Sequence, residues 1–317
     1  MSTPLIETKN LKKYFSTSRG KLHAVDDVSL KIYEGQTLGI VGESGCGKST
    51  FGRTILRLLE PTSGEILYKG KNIVDYNFDE MRDMRKNMQI IFQDPYASLN
   101  PRMTVSEIIA EPIIVNKTIT GAKQINNKVN ELMETVGLAR RLVNSYSHEL
   151  DGGRRQRIGV ARALALDPEF IVADEPVSAL DVSIQAQILN LLMDLQEERG
   201  FSYVFITHDL SVVKHISNEI AVMYLGQCIE RTSSAELFNN PLHPYTKGLL
   251  NAIPVPNLSN RNKTKSIIKG EVTMPIEPKP GCRFVPRCSY ATEKCTAGDI
   301  EFREVSSGHF VSCVLYQ

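Results

Sequence analysis

The 317-residue sequence lacks an excess of either charge. Its 37 Lys and Arg residues nearly balance 36 Asp and Glu residues, for a formal net charge of +1. A nucleic-acid-binding surface usually gives a clear basic excess, so the composition does not favour that class of protein. The chain is long enough for one large domain with an appendage or for two small domains.

Long apolar runs are also missing. No stretch approaches the roughly 20 apolar residues that span a bilayer, and the N-terminal residues do not have the pattern of a signal peptide. We therefore expect a soluble, cytoplasmic chain whose contact with a membrane, if it has one, is made through partner subunits. The sequence also has no fixed-period repeat and no low-complexity tract.

Several segments have the pattern of β-strands. Residues 5–40 alternate apolar and polar positions around Gly and Asp turns, which is typical of antiparallel strands. Thr37–Val41, Phe170–Ala173 and Tyr203–Ile206 are short apolar runs, the pattern of parallel strands that are buried on both faces. A further apolar run ends at Phe92.

Helical periodicity separates these strands. It occupies residues 49–59, most of 95–150, and 184–195, where the helix is amphipathic. Strands that alternate with helices predict an α/β architecture with an internal helical insertion.

The composition changes near the C-terminal end. After about Pro254 the chain becomes rich in Pro, Lys, Asn and Ser, and then in cysteine. We therefore predict a main domain over residues 1–255, with a helical subdomain at about 95–155. Residues 256–317 are predicted to form a linker and a small Cys-rich module.

The most specific motif is G-E-S-G-C-G-K-S, which directly follows an apolar strand and opens a helix. It fits the phosphate-binding loop G-x-x-x-x-G-K-[ST] in the context that the loop requires, whereas the alternative is a Gly-rich turn with a chance lysine. The glycines let successive N–H groups surround phosphates, Lys48 reaches the β- and γ-phosphates, and Ser49 supplies an oxygen to Mg²⁺. The predicted nucleotide-binding residues of this loop are Gly42, Ser44, Gly45, Cys46, Gly47, Lys48, Ser49 and Thr50.

Two carboxylates follow the apolar run Phe170–Ala173. The C-terminal end of a parallel strand is where open α/β sheets bind their ligands. Asp174 suits the Mg²⁺ shell, and Glu175 suits a general base that polarises the attacking water. The alternative is an acidic turn that only ends a strand, and the phosphate loop upstream argues against it.

The order of these motifs resembles that of the ATP-binding subunits of ABC transporters. G-E-S-G-C-G-K-S is followed by Gln93, L-D-G-G-R-R-Q-R, F-I-V-A-D-E-P, S-A-L-D and T-H-D, and the match covers about residues 5–250. Two stretches, Q-D-P-Y-A-S-L-N-P-R-M-T-V and N-P-L-H-P-Y-T-K-G-L-L, are similar to the oligopeptide/dipeptide/nickel importer subfamily. Within it, the chain is most like the second ATPase of an oligopeptide importer. The fold class that follows is a P-loop ABC-type ATPase core with an antiparallel β-subdomain, a helical insertion and a Cys-rich extension.

The resemblance implies a set of partners and cofactors. The family uses ATP and Mg²⁺ and works as a dimer of two ATPase subunits on two transmembrane permeases, fed by an extracytoplasmic substrate-binding protein. The chain would lie at the cytoplasmic face of the membrane, attached through the permeases, with the loop from Asp94 to Arg102 transmitting motion to them. No role with nucleic acid is implied.

The resemblance also implies roles for single residues. Tyr14 would stack on adenine, with Phe15 as the neighbour that could replace it, whereas a core aromatic of the first strand is the plainer interpretation. Gln93 would reach Mg²⁺ and the attacking water, although a mid-chain Gln usually lies on the surface. His208 would bridge the γ-phosphate and Glu175, although an isolated His is more often structural. The implied Mg²⁺ ligands are Ser49, Gln93 and Asp174.

The signature stretch departs from the family pattern, since it normally reads L-S-G-G-Q and here reads L-D-G-G-R. In the family this helix N-terminus points at the γ-phosphate bound by the partner subunit. Asp caps a helix about as well as Ser, but an ionised Asp cannot donate a hydrogen bond to phosphate. Its repulsion of a phosphate charge is of order 4 kcal/mol at about 4 Å and an effective dielectric of about 20. The implied residues facing the partner's ATP are Asp151, Gly152, Gly153 and Arg154.

This substitution predicts two unequal ATP sites in a heterodimer. The site built on Lys48, Glu175 and His208 should hydrolyse ATP, and the site completed by Asp151 should do so poorly. The alternative is that the position tolerates Asp, because Arg154 restores local neutrality. Asp181 in S-A-L-D would help to join the two subunits, although alone it would indicate only a helix cap.

Four of the six cysteines lie in the last 40 residues, with spacings of 5, 6 and 17 residues and with His309 shortly before the last of them. In a reducing cytosol such a cluster favours a metal over disulfides. The C-R-F-x-x-R-C and H-F-V-S-C patterns resemble importer subunits of which some carry a 4Fe–4S cluster. We therefore favour a structural 4Fe–4S cluster, with Zn²⁺ or free packed thiols as alternatives. The predicted ligands are Cys282, Cys288, Cys295 and Cys313.

Competing functions remain at this stage. A nickel or other small-solute importer would have the same ATPase sequence features. Non-transport ABC ATPases usually carry two ATPase domains in one chain or long coiled-coil insertions, and neither pattern occurs here. An iron–sulfur protein with an incidental ATPase fold would not need the complete set of hydrolytic residues.

Overall fold

The computed structural model describes residues 3–253, 268, 270 and 273–317. The chain divides into two compact units. One comprises Met1–Tyr33, Thr37–Val74 and Phe205–Gln317, and the other comprises Glu34–Gln36 and Asp75–Val204. Most of the predicted linker after Pro254 lies outside the described residues. The cysteine-rich segment thus belongs to the same compact unit as the phosphate loop.

The described residues contain strands and helices throughout. The strands are β1 (Ile6–Thr17), β2 (Gly20–Val28), β3 (Lys31–Ile32), β4 (Thr37–Val41), β5 (Ser63–Tyr68), β6 (Lys71–Asn72), β7 (Met88–Ile91), β8 (Phe170–Asp174), β9 (Ser202–Ile206), β10 (Glu219–Tyr224), β11 (Gln227–Ser233), β12 (Arg303–Ser306) and β13 (His309–Val311). The helices are α1 (Lys48–Ile55), α2 (Phe78–Met84), α3 (Pro95–Ser98), α4 (Val105–Asn116), α5 (Ala122–Thr135), α6 (Gly152–Leu164), α7 (Val182–Arg199), α8 (Leu210–Ile216), α9 (Ser234–Asn239) and α10 (Pro244–Ala252).

The first unit contains the antiparallel sheet that the alternation over residues 5–40 predicts. Its strand order is β2-β1-β5-β6, with β3 also paired to β1. The register of β1 and β2 places Tyr14 opposite His23, so the two side chains share one face of the sheet.

A second group of strands in this unit has the order β12-β13-β11-β10-β4. β4 and β10 are parallel, and all five residues of β4 are buried, as its continuous apolar sequence predicts. β11 pairs antiparallel with both β10 and β13. The C-terminal hairpin therefore extends the sheet that contains the strand leading into the phosphate loop.

An apolar core joins the C-terminal segment to this sheet. Val41 of β4 and Tyr224 of β10 belong to one buried cluster with Tyr245 of α10 and Phe284. The Phe284 ring lies 5.3 Å from the Tyr224 ring and 5.4 Å from the Tyr245 ring, centroid to centroid. Burying a side chain of this size contributes about 1.5–3 kcal/mol. The segment around Phe284 is thus anchored by the hydrophobic effect beside the loop-bearing strand.

A buried carboxylate on β11 holds the C-terminal hairpin of β12 and β13 in place. Glu230 of β11 is fully buried, and it accepts hydrogen bonds from the backbone N–H of Leu242 (2.7 Å), the backbone N–H of His243 (2.9 Å) and Nε2 of His309 (2.8 Å). Burial lowers the pKa of the neighbouring His243 to about 4, so that ring is neutral at physiological pH. His309 is therefore a partner of Glu230 in the hairpin.

The second unit contains the parallel pair β7–β8 and the helical insertion that the sequence predicts between about residues 95 and 155. α4 begins with a capping box, in which Thr104 and Glu107 satisfy each other's backbone N–H groups. β9 begins in the second unit and ends in the first. Among the helices of the described residues, none combines the length and the apolar character needed to cross a membrane.

Candidate nucleotide-binding site

The phosphate loop requires glycine at two positions for steric reasons. Gly42 has φ of 155° and Gly47 has φ of 103°. A Cβ at Gly42 would lie 2.2 Å from the carbonyl oxygen of Met223, and a Cβ at Gly47 would lie 2.0 Å from that of Ala24. Since no side chain fits at either position, only glycine allows the backbone to follow this path around the loop.

Lys48 occupies the centre of the loop. Its side chain is 4% exposed, and Nζ donates hydrogen bonds to the carbonyl oxygens of Gly42 (2.9 Å) and Glu43 (3.1 Å). Cys46 is buried beside it, and burial raises the pKa of the Cys46 thiol, so the group is a neutral space-filling side chain. Ser49 and Thr50 lie in the first turn of α1, partly exposed. This set of groups fits a triphosphate, because the loop places an ammonium group and two hydroxyls at the N-terminus of α1.

Tyr14 lies on the antiparallel sheet of the same unit, half-buried rather than in the core. Its ring stacks on His23 with 3.9 Å between centroids, and its hydroxyl donates to Asp26. Burial raises the pKa of Tyr14, and the hydrogen bond to Asp26 adds to the rise. Burial alone would raise the pKa of the Asp26 carboxyl. The hydrogen bonds from Tyr14, His23 and Arg283 outweigh this effect and hold the pKa below its usual value. Tyr14 is therefore a neutral, oriented ring.

The predicted hydrolytic residues of the second unit meet after β8. Asp174 is fully buried at the end of the strand, and Glu175 follows it with φ of 48°. This left-handed conformation is uncommon for a residue with a side chain and often marks a functional position. Gln93 Nε2 donates to Glu175 Oε2 at 2.9 Å. The amide and the carboxylate that the sequence assigns to the attacking water are thus in direct contact.

The signature stretch forms a helix start, as the sequence predicts. Asp151 is the N-cap of α6, and its Oδ1 accepts the backbone N–H of Arg154 at 2.8 Å. The Arg154 guanidinium lies 3.3 Å from the other carboxylate oxygen, with both side chains about half exposed. A Cβ at Gly153 would lie 2.7 Å from Cγ2 of Ile184, so glycine allows this helix and α7 to approach closely. Asp151 is thus a helix cap with a local counter-charge.

Two further predicted residues are exposed at element ends. Asp181 directly precedes α7, but its side chain makes no capping hydrogen bond. His208 follows β9 after one intervening residue and is exposed. The first unit carries Tyr14, the loop residues 42–50 and His208, and the second carries Gln93, Asp151, Gly152, Gly153, Arg154, Asp174, Glu175 and Asp181.

The four C-terminal cysteines line one small cavity of about 20 Å³. Burial raises the pKa of the Cys282 thiol to about 11. In the part of the chain that the structure describes, no group of three or more His, Cys, Asp or Glu side chains is arranged to hold a metal ion. The cavity has room for about one water-sized body. The four predicted ligands thus lie around one cavity, but the described residues do not form the metal site that the cysteine cluster and the resemblance predict.

Three residues near the loop were missed by the sequence analysis. Arg287 forms a bidentate ion pair with Glu43, the second residue of the phosphate loop, and Tyr245 O–H accepts a hydrogen bond from the Glu43 backbone N–H at 2.9 Å. Arg283 donates to Asp26, the partner of Tyr14. These residues lie in the stretches C-R-F-V-P-R-C and N-P-L-H-P-Y, which indicated the family resemblance in the sequence but not these contacts.

A glycine loop with a buried lysine and two carboxylates at the end of a parallel strand are the features of a phosphate-loop ATPase. The model of the ABC transporter family matches residues 25–178, and the model described as the C-terminal region of oligopeptide/dipeptide transporters matches residues 229–295.

The chain is 51% identical over 315 residues to the oligopeptide transport ATP-binding protein OppF of Bacillus subtilis, covering 99% of this chain and 97% of the relative. It is 49% identical over 320 residues to the dipeptide transport ATP-binding protein DppF of Haemophilus influenzae, covering 98% and 97%. The dimeric, post-hydrolysis structure of the ATP-binding cassette MJ0796 with ADP and Pi matches with a TM-score of 0.67 and 31% identity, over 72% of this chain and 98% of that one. The chain belongs to the oligopeptide/dipeptide family of ABC transporter ATP-binding proteins, whose ATP hydrolysis is coupled to transport.

Proposed function

We propose that this protein is one of two unlike ATPase subunits of a peptide importer. The observation that carries the proposal is the contact of Gln93 with Glu175, in a chain that also has a complete phosphate loop and relatives named for oligopeptide and dipeptide transport. The subunit would bind two permeases at the cytoplasmic face of the membrane and depend on an extracytoplasmic substrate-binding protein. A nickel or other small-solute importer is the alternative.

The residues of the two units would have different roles in ATP binding and hydrolysis. In the first unit, the loop N–H groups and Lys48 would hold the triphosphate, Tyr14 would stack on adenine, and His208 would contact the γ-phosphate. In the second unit, Glu175 would accept the proton of the attacking water while Gln93 orients it. Bound Mg²⁺ would neutralise part of the phosphate charge, and its proposed ligands are Ser49, Gln93 and Asp174.

Purification of the tagged full-length protein in detergent from its native membrane tests this function. We expect two membrane subunits and a second ATPase to co-purify, and peptide-loaded binding protein to stimulate ATP hydrolysis by the complex. Stimulation by nickel-loaded but not peptide-loaded binding protein would overturn the peptide substrate. Purification without any membrane subunit would overturn the transport role.

The Asp151 cap leads to a separate prediction about the two ATP sites. Because Asp151 would face the partner's γ-phosphate, Asp151→Ser and Asp151→Asn should raise the ATPase rate of the complex by about twofold or more. Both replacements retain a helix cap and remove the charge, so thermal unfolding should change little. Phosphate release by the purified heterodimer measures the rate. Unchanged rates in both variants would show that Arg154 already compensates the charge.

For the C-terminal cysteines we propose a structural metal group, a 4Fe–4S cluster in preference to Zn²⁺. Its support is the convergence of Cys282, Cys288, Cys295 and Cys313 around one cavity. Anaerobically purified protein should be brown, with absorbance at about 400 nm that is lost in Cys288→Ser. A colourless protein that contains zinc would establish the alternative, and a metal-free protein would refute both.

A further inference from the structure

Two arginines of the C-R-F-V-P-R-C stretch reach the nucleotide-binding residues of the first unit. Arg287 donates from Nη1 to Glu43 Oε2 at 2.7 Å and from Nη2 to Glu43 Oε1 at 2.9 Å. The Arg287 side chain is 7% exposed and the Glu43 side chain is 26% exposed. A bidentate pair with this burial has a fixed geometry, unlike a solvated surface ion pair.

The carboxylate, the backbone N–H and the backbone carbonyl of Glu43 each bind a different residue. Its carboxylate binds Arg287, its backbone N–H donates to the hydroxyl of Tyr245, and its carbonyl accepts from Lys48 Nζ at 3.1 Å. A single residue therefore connects the C-terminal arginine to the lysine that contacts phosphate. Displacement of Glu43 would change both the shape of the loop and the position of its ammonium group.

Arg283 connects the same C-terminal stretch to Tyr14 through Asp26. Its guanidinium donates to the Asp26 carboxylate, which also accepts the hydroxyl of Tyr14, and to the carbonyl of Leu225. The next residue, Gly226, donates its N–H to the carbonyl of Cys46 in the phosphate loop at 2.8 Å. The Gly226 bond is between backbone atoms and does not involve the Arg283 side chain, which acts on the Tyr14 ring through Asp26.

We propose that Arg287 and Arg283 are positioning residues for the nucleotide, Arg287 for the triphosphate and Arg283 for the base. This inference rests on the proposed nucleotide site. Arg287 neutralises Glu43, whose carboxylate would otherwise repel a triphosphate bound by the same loop. Arg283 orients Tyr14 through Asp26, so its loss should leave the phosphate contacts intact.

The test measures the displacement of a fluorescent ATP analogue from the full-length protein, by ATP and by inorganic tripolyphosphate. Arg287→Gln should weaken both competitors about tenfold, which corresponds to about 1.4 kcal/mol. Glu43→Gln combined with Arg287→Gln should restore both to within about threefold of the parent, because no unpaired carboxylate remains. Arg283→Gln should weaken ATP by about threefold to tenfold and leave tripolyphosphate unchanged.

Two controls separate the possible failures. Lys48→Ala should abolish binding of the fluorescent analogue itself, and retained affinity in that variant would overturn the nucleotide site itself. Arg303→Gln removes another arginine of the C-terminal segment, one that donates to the carbonyl of Tyr316, and should change neither affinity. If Lys48→Ala loses binding while Arg287→Gln does not, the positioning role is wrong. An equal loss in Arg303→Gln, or no rescue in the double variant, would show general loosening of the segment and also overturn it.

Discussion

Replacement of Glu175 by Gln is expected to lower ATP turnover by the assembled transporter about a hundredfold to ten-thousandfold while nucleotide binding is retained. An amide has nearly the same shape as the carboxylate, but it cannot accept the proton of the attacking water. The new side-chain oxygen can still accept the hydrogen bond that Gln93 donates at 2.9 Å. The substitution therefore removes the basic group and leaves the local geometry in place.

Steady-state phosphate release by the purified complex measures the loss, and binding of a fluorescent ATP analogue checks that the site is still formed. Glu169→Gln is a matched control, because Glu169 immediately precedes the same strand, at its other end from Glu175. Its turnover should stay within about twofold of the parent. Retention of more than about a tenth of the parent rate in Glu175→Gln would contradict this role, because another group would act as the base or the site completed by Asp151 would carry the turnover.

The backbone at Glu175 adds a second reason to expect a specialised role. Its φ of 48° costs free energy, of order 1–3 kcal/mol for a residue in a sparsely populated region. The conformation turns the chain immediately after the buried Asp174, where the side chain can meet Gln93. The letters D-E-P predict two carboxylates where a strand ends, but they predict neither the positive φ nor this contact.

Features set by near neighbours in the sequence were predicted well. The buried strand Thr37–Val41 follows from five consecutive residues that suit burial on both faces, and the cap at Asp151 follows from an Asp before two glycines. The pairing of Asp151 with Arg154 is likewise local. The helix predicted over residues 49–59 ends earlier, at Ile55, because Arg57 adopts φ of 49° and cannot continue it.

The contacts that join the C-terminal segment to distant residues of the chain were not predicted. Arg287 and Glu43 are 244 residues apart, and each alone has the properties of a solvated surface charge. Glu230 and His309 are 79 residues apart, and neither lies in a motif with a known chemical role. One sequence contains no information on which acidic and basic residues the sheet brings together, so these partners required the fold.

The second large expected effect is the loss of stability in Glu230→Ala. The substitution leaves the N–H groups of Leu242 and His243 and the ring N–H of His309 without their acceptor in a fully buried environment. A buried donor left without its acceptor typically costs about 1–3 kcal/mol, so three such donors should cost at least about 3 kcal/mol. Because β11 pairs with β13 through this residue, the loss should be concentrated in the C-terminal hairpin.

Amide hydrogen exchange measures that local stability directly, whereas a single melting temperature is poorly defined for a chain of two units. The amides of Phe310 and Val311 should exchange about a hundredfold to a thousandfold faster in Glu230→Ala, while those of β8 in the second unit should be unchanged. Glu236→Ala is the matched control, since its partly exposed carboxylate lies 3.9 Å from the other ring nitrogen of His309. Loss of the Glu236 carboxylate should lower the free energy of unfolding by less than about 1 kcal/mol. Equal effects of the two substitutions would contradict the role of Glu230, because they would show that the hairpin depends on the charge near His309 and not on the three buried hydrogen bonds.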